Sequence, residues 1–479
     1  MIFSDQIFLI FIIVLIPIYW LSPQKLRNPI LLVFSYYFYG YWNWKFTVLL
    51  AITTFIDFFV GLKIHKANET GNLHFKKRLL ILSILANLGI LAFFKYYNFF
   101  IVSVIEALNF VHLNPSIPIL NIILPVGISF YTFQSMSYTL DIYRNKLKPT
   151  TNFINFALYV SLFTQLVAGP IERAITLLPQ IESKRKKVNW GNIKKGLVLV
   201  FIGYIKKVVI SDNIGPLVDY TFLNYAILNS IELVSGLIFF SMQIYFDFSG
   251  YTDIARGISR FFGFELMMNF NQPYLSRNIT EFWERWHISL STWLRDYLYI
   301  PLGGNRNGEF RTYINLMLTM LLGGLWHGAS WNFVLWGGLH GIYLVVNKAI
   351  KTPRYKDNIR FNGLKSIFSN LFNCTLTYFL VLITWLPFRT KNISETIDYV
   401  KGIFFWKGSI DFNSINLIIL IFIVLLLVDV PAYIYKEHEF LLRFPRWLLF
   451  SIFIFGIVGI VLTMYFRIGG ARPFIYFQF

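Results

Sequence analysis

Between Tyr313 and Asn347 the chain runs for 35 residues without a lysine, arginine or acid: YINLMLTMLLGGLWHGASWNFVLWGGLHGIYLVVN. As one straight helix this run would reach about 52 Å, against a hydrocarbon core of about 30 Å. Two full spans would need about 40 residues and a turn. The length therefore predicts two shortened or broken helices that meet near Gly323–Trp331. Non-helical backbone at membrane depth is tolerated only where protein or a water-filled cavity satisfies it. His327 is thus expected inside the membrane, facing a cavity rather than lipid. Gly323, Gly324 and Gly328 beside it let a backbone or a ligand come close.

The stretch just upstream is polar and aromatic. Asn278 followed by Glu281 reads as a helix start, with the acid reaching back to the cap. Glu281 and Arg285 are spaced to pair on one face, and Trp283, His287 and Ser291 are expected to share another. A tryptophan-rich helix bearing Arg and Glu suits the membrane–water boundary. It would carry His287 either into the interior or against the headgroups.

Composition decides the class. Hydrophobic residues make up 56% of the 479 and charged ones 14%, against about 25% charged in soluble domains. The chain reads as an all-α polytopic membrane protein. Its net charge of +19 does not form a nucleic-acid-binding arm, because the basic residues recur in short loops, as topology signals do. The one cysteine, Cys374, excludes an intramolecular disulfide or a CxxC site and is expected to be a small packing residue. Ile7–Leu21 has no basic region before it and no small-residue cleavage site after it, so it reads as a first span with its N-terminus outside.

Apolar runs predict spans at 5–22, 29–43, 46–62, 79–102, 119–140, 196–211 and 232–249. The broken pair 313–347 follows, then 368–388, 414–434 and 447–466. Lys25 and Arg27, the 63–78 loop, Arg144–Lys148 and Lys184–Lys195 are basic, whereas 103–118 and 213–231 contain no lysine or arginine. All the basic loops fall on the cytoplasmic side if 153–176 enters and leaves by one face, as a re-entrant element ending at Gly169-Pro170 would. Residues 250–311 carry seven arginines and are expected at that face. No 20–50-residue repeat appears, so 1–479 reads as a single membrane domain.

Ionisable residues within the spans are few: Asp57, Lys95, Lys206, Lys207 and Asp247. Such residues usually face the bundle interior. Lys206 and Lys207 are expected near a span end, snorkelling to the interface. Asp247, followed by Asp253 and Arg256, is expected in a structural ion pair beneath the site. Of the histidines, His65, His74, His112 and His438 lie in loops and are expected to be solvated. His340, on a Gly-rich helix, is expected to pack. A neutral imidazole accepts a proton near pH 7, so His327 is either a general base or a polar helix–helix contact. The histidine spacing lacks an HExxH or cysteine pattern, which makes a zinc site weak, and no P-loop, dinucleotide fingerprint or GxSxG elbow occurs.

Five segments carry a family resemblance. They are ILPVGISFYTFQSMSYTLDIYR (123–144), LVAGPIER (166–173), IYFDFSGYTDIARG (244–257), NFNQPYLSRNITEFWERWHISLSTWLRDYLYIPLGGNR (269–306) and LLGGLWHGASWNFVLWGGLHG (321–341). Together they resemble the membrane-bound O-acyltransferase (MBOAT) superfamily, nearest its bacterial alginate O-acetyltransferase branch. Peptidoglycan O-acetylating and D-alanyl-teichoic-acid proteins are relatives of that branch. The flanks, 1–110 and 350–479, match only in hydrophobic character.

The resemblance implies a bundle of about 11–13 membrane helices around a central funnel, some of them re-entrant or broken where protein can satisfy the backbone. It maps the family's histidine onto His327 and the partner residue onto His287. Trp326, Asn332, Trp283, Arg285 and Ser291 are the candidates for substrate binding or support, along with Arg295, Asp296, Asp247 and His340. The implied reaction is acyl transfer, from acetyl-CoA or another thioester on the cytoplasmic side of the inner membrane, to a hydroxyl of an exported polysaccharide or peptidoglycan. An extracytoplasmic acetyltransferase partner is implied, with no permanently bound cofactor and no metal. An acyl-histidine intermediate and D-alanyl transfer to teichoic acid are the variants within the class. A transporter with a broken-helix site is the rival from another class.

The orientation makes an expectation of its own. Cysteines placed in 103–118 or 213–231 should be labelled by an impermeant thiol reagent from outside, and those in 63–78 or 184–195 should not. Reversed labelling would overturn the topology.

Overall fold

The computed structural model describes residues 1–113, 115–185, 190–353, 364–405, 412–466 and 472–477. Those residues form helices and connecting segments, with no strand among them. By contact they divide into two compact units, Met1–Gly196 with Ala255–Met267, and Leu197–Ile254 with Met268–Phe479.

The first unit begins with α1 (Gln6–Leu21), α2 (Gln24–Gly40), α3 (Lys45–Glu69) and α4 (Leu73–Leu91). A π-turn, Ala92–Tyr96, leads into α5 (Tyr97–Phe110), and α6 (Ile128–Tyr143), α7 (Phe153–Ser161), α8 (Phe163–Leu166) and α9 (Ala174–Glu182) follow. The span expected at 119–140 starts late. Pro118 and Pro125 keep the chain out of a helix, and Gly127, at φ 75°, turns it into α6.

Helices α3, α4 and α6 pack on one another around Asp57, which is fully buried. Its carboxylate accepts from Ser83 Oγ at 2.6 Å, from Asn87 Nδ2 at 2.8 Å and from the Ser135 hydroxyl. One buried acid is thereby hydrogen-bonded to two of the helices around it. The segment expected to be re-entrant is short and broken. α7 has nine residues and α8 four, and 156–172 is buried throughout, so its irregular backbone is wrapped in protein.

α10 (Trp190–Tyr204) continues through the π-turn Ile205–Ser211 into α11 (Asp212–Leu223). α12 (Ser230–Phe261) is 32 residues long and gives residues to both units. The second unit then holds α13 (Ile279–Arg285), α14 (Ile288–Leu294), α15 (Glu309–His327) and α16 (Trp331–Ala349). Beyond them come α17 (Leu364–Arg389), α18 (Ile393–Phe404), α19 (Phe412–Tyr435) and α20 (Arg446–Phe466). Among the described residues six helical stretches are long and apolar enough to cross a membrane: Lys45–Glu69, Leu73–Phe110, Ser230–Phe261, Lys365–Arg389, Asn413–Tyr435 and Arg446–Phe466.

Two expectations about charge are corrected here. Lys206 and Lys207 do not snorkel, because the π-turn directs both inward, at 5% and 3% exposure. Lys206 Nζ lies 2.7 Å from Asp253 Oδ2, and Lys207 pairs with Asp212 at 3.0 Å and with Asp247. Asp247 is thus in an ion pair as expected. Its counterion comes from the π-turn. His438 is not solvated; it is buried, with Nδ1 3.1 Å from Asp253 Oδ1 and Nε2 3.3 Å from Gln272 Nε2. A buried imidazole needs partners for both nitrogens, and a neutral ring donating to Asp253 and accepting from Gln272 satisfies both.

α15 and α16 form the hairpin foreseen from the uncharged run, with the break at Gly328–Ser330. Each helix is 19 residues, longer than expected, because each extends past the run into Glu309, Arg311 and Lys348. Glycines bring the two backbones together. A methyl group on Gly324 would sit 3.2 Å from Gly337 Cα, and one on Gly337 would run into the Met320 carbonyl. In an open helix Gly→Ala gains about 1 kcal/mol. Gly337→Ala should reverse that sign and cost about 1–3 kcal/mol by overpacking, read as a lowered thermal midpoint of the purified protein.

Candidate active site

α13 opens as the sequence implies, with Asn278 Oδ1 accepting from Glu281 N at 2.8 Å. Glu281 reaches one residue further back than expected and accepts from the Arg277 backbone N–H at 2.8 Å. It also accepts from both flanking guanidinium groups, Arg277 at 3.0 Å and Arg285 at 2.9 Å. Two arginines on one buried acid stiffen this short helix on both sides.

The shared face of Trp283, His287 and Ser291 does not form, because the helix stops at Arg285. The Arg285 carbonyl accepts from Asn271 N at 2.9 Å, and Ile288 N donates to Asn269 O at 2.9 Å. Trp286 is extended between them, and His287 is left-handed at φ 41° and ψ 55°. Ser291 Oγ then donates to the Trp286 carbonyl at 3.0 Å, so the serine seals the break. A left-handed non-glycine residue costs about 1–2 kcal/mol, and such strain persists where its surroundings over-determine it. Its effect here is to aim the imidazole away from the helix face that spacing alone suggests.

That aim brings His287 to His327. Their ring centroids are 6.3 Å apart, and the rings are 0% and 4% exposed. His327 is the last residue of α15, where the hairpin breaks. Trp326 packs 5.1 Å from it and 5.7 Å from His287. Trp336 at 4.9 Å, Phe388 at 5.3 Å and Tyr476 at 5.5 Å complete the wall around His327, and Phe248 lies 4.7 Å from His287. The side chains named around the two histidines are all aromatic, and the chamber they wall is defined by these ring contacts. Burial pushes the His287 imidazole down to about 3, so it is neutral at any physiological pH.

The other expected residues separate. His340 is fully buried, with Nε2 3.0 Å from Thr384 Oγ1 and its ring parallel to Phe282. Trp283 packs against both His340, at 5.1 Å, and Trp336, at 5.7 Å. Arg285 is spent on Glu281 and on the Asn271 carbonyl. Asn332 donates to Thr390 O at 2.8 Å, joining the start of α16 to the end of α17. Arg295 and Asp296 pair with each other at 2.7 Å, 59% and 32% exposed. Asp247 accepts from Ile475 N at 2.7 Å, the residue next to Tyr476. Among the described residues no three His, Cys, Asp or Glu side chains gather into a metal-binding group.

Four neighbours escaped the sequence reading: Trp336, Phe388, Phe248 and Tyr476. The i,i+4 spacing of Trp336 and His340 was a usable signal, since the rings meet at 4.7 Å. Tyr476 carried none, being in a short 3₁₀ turn at Ile475–Phe477 far from every motif.

Residues 30–386 match the family model described as MBOAT, membrane-bound O-acyltransferase family. The probable alginate O-acetylase AlgI of Azotobacter vinelandii is 40% identical over 445 residues, covering 92% of this chain and 86% of that protein. The peptidoglycan O-acetyltransferase of Helicobacter pylori is 37% identical over 427 residues, 82% of this chain and 78% of its own. The teichoic acid D-alanyltransferase of Bacillus subtilis is 28% identical over 244 residues, 49% and 61% of the two chains.

The packing of His340 generates an expectation. His340→Ala should lower the thermal midpoint, with about 2–5 kcal/mol lost to the cavity, while the turnover per folded molecule stays within about tenfold of the parent. A turnover as low as that of His327→Ala at equal folded amount would place His340 in the chemistry.

Proposed function

The chain belongs to the membrane-bound O-acyltransferase family, and from that premise we propose that it moves an acetyl group from acetyl-CoA on the cytoplasmic side to a hydroxyl of an exported polysaccharide or peptidoglycan. It is an O-acyltransferase and a multi-pass membrane protein, and its acyl donor is a substrate. The finer reading adds the inner membrane as its site and an extracytoplasmic acetyltransferase as the partner that completes delivery. It treats 1–479 as one catalytic membrane domain. The relatives named for alginate and peptidoglycan O-acetylation cover far more of this chain than the D-alanyltransferase does, and this supports acetyl over D-alanyl.

The observation that carries the reading is the pair of buried histidines facing each other inside an aromatic wall at a helix break. His327 takes the proton of the accepting hydroxyl as its oxygen attacks the thioester carbonyl. The tetrahedral intermediate collapses with cleavage of the carbon–sulfur bond. His327 then returns the proton to the departing thiolate, so the thiol leaves neutral and the ester remains. Neutral His287 orients the reacting groups from the opposite side. The Trp336 indole N–H is buried, has no acceptor among the described residues and can donate to the carbonyl oxygen as negative charge develops there.

Purified protein supplied with acetyl-CoA and a hydroxyl acceptor, or with its partner, should release free coenzyme A. Release should fall as pH is lowered, because an imidazolium cannot take a proton. His327→Ala should lower release by about 10²–10⁴-fold, the usual worth of a general base, at unchanged abundance, whereas His65→Ala should not. Substrate flux across vesicles without thioester cleavage, indifferent to His327, would make the protein a transporter instead.

A further inference from the structure

We infer that Asp247 is a positioning residue for this reaction: its carboxylate fixes the backbone of segment 472–477 and so holds Tyr476 against the two histidines. The inference rests on the acyltransfer reading for its activity, and on geometry for everything else. Asp247 lies on α12 at 2% exposure. One carboxylate oxygen pairs with Lys207, from the π-turn, and the other accepts from the Ile475 backbone N–H at 2.7 Å. A hydrogen bond from a neutral N–H to a buried, charge-compensated carboxylate is among the stronger kinds.

Ile475 is the first residue of the 3₁₀ turn, so the bond is made where the turn begins. On either side of it the segment delivers rings to the chamber. Phe474 packs 5.1 Å from Phe248, the residue after Asp247, and Tyr476 stands 5.5 Å from His327 and 6.4 Å from His287. Phe474 and Tyr476 are themselves stacked at 5.3 Å. At the start of the segment Arg472 pairs with Asp219 at 2.9 Å, but these side chains are 30% and 38% exposed, where ion pairs contribute little. Asp247 is therefore a buried polar anchor of the segment, and together with the ring contacts of Phe474 and Tyr476 it sets where Tyr476 sits. A wall displaced by about 1 Å in such a site can cost about 10²-fold in rate.

The charge arithmetic makes the test clean. Lys207 also pairs with Asp212 at 3.0 Å, so removing the charge at 247 leaves a balanced pair behind. Asp247→Asn keeps one acceptor oxygen, which Ile475 N can take once Lys207 turns wholly to Asp212, and Asp247→Leu removes it. Amide hydrogen exchange of segment 472–477 and the kcat and KM of coenzyme A release are measured on purified protein of matched thermal midpoint. The expected result for Asp247→Leu is exchange faster by about tenfold or more, kcat down by about 10²-fold and KM for acetyl-CoA within about threefold. Asp247→Asn should recover at least about tenfold of that kcat.

Ile475→Pro removes the N–H from the other side and is tolerated at a first helical position. It should reproduce the Asp247→Leu loss, and it carries the test if the leucine variant does not fold. Equal kcat losses in the asparagine and leucine variants, or protected exchange with normal kcat in the leucine variant, would overturn the inference. The exchange measurement needs no turnover. If the parent protein releases no coenzyme A, the acyltransfer reading fails, while exchange in the three variants still decides whether Asp247 anchors the segment.

Discussion

Backbone that leaves the helix inside an apolar protein must find its hydrogen bonds in the protein itself, and in each unit the irregular segments meet that demand. At the hairpin break Ser330 supplies the cap, its hydroxyl accepting from Asn332 N at 3.2 Å and its carbonyl from Phe333 N at 3.1 Å. At Trp286–His287 the partners are Asn269 and Ser291. Around α8 they are Tyr159, whose carbonyl accepts from Gln134 and Gln165, and Ser35, whose hydroxyl accepts from Phe163 N. Each break is held by serine, asparagine or glutamine, and two of them place a histidine. The polar side chains of these segments are thus as necessary to the fold as its leucines.

Charge obeys the same demand more strictly, because an isolated buried ion costs several kcal/mol. The π-turn at Ile205–Ser211 faces two lysines into the second unit, and α12 meets them with Asp247 and Asp253. Glu281 takes two arginines. These clusters lie next to the chamber without entering it: Asp253 holds His438, which meets Gln272, and Asp247 holds the turn that carries Tyr476. The named wall around His287 and His327 is aromatic, and the charges act on it through the backbone they fix.

Much of this was legible because apolar length, glycine placement and caps are local properties. The hairpin, its break beside His327 and the Asn278 cap follow from residues near one another in the chain. The resemblance of the five segments added His287 as the partner of His327. What stayed hidden depended on contacts between distant residues. Nothing local says that Arg285 will end α13, since Asn269 and Asn271 end it from outside. Nothing local marks Lys206 and Lys207 as buried, since a π-turn cannot be read from composition. His438 looked solvated because its loop is charged, and Tyr476 lies outside every motif. Periodicity therefore found the long helices, missed the late start of α6 and the early end of α13, and misjudged side chains wherever a helix stopped early or gained a residue.

The left-handed backbone of His287 changes how variation at that position is to be read. A residue at φ 41° contributes two separable things, an imidazole and a tolerance for that conformation. Alanine or valine forfeits both at once, so a dead enzyme with either residue says nothing about which was needed. Asparagine shares the tolerance and glycine exceeds it, and neither carries an imidazole. In a population of natural or selected variants, position 287 would then tolerate the conformationally permissive residues before the bulky ones even where the chemistry is lost, and folded but inactive chains would accumulate there as asparagine and glycine.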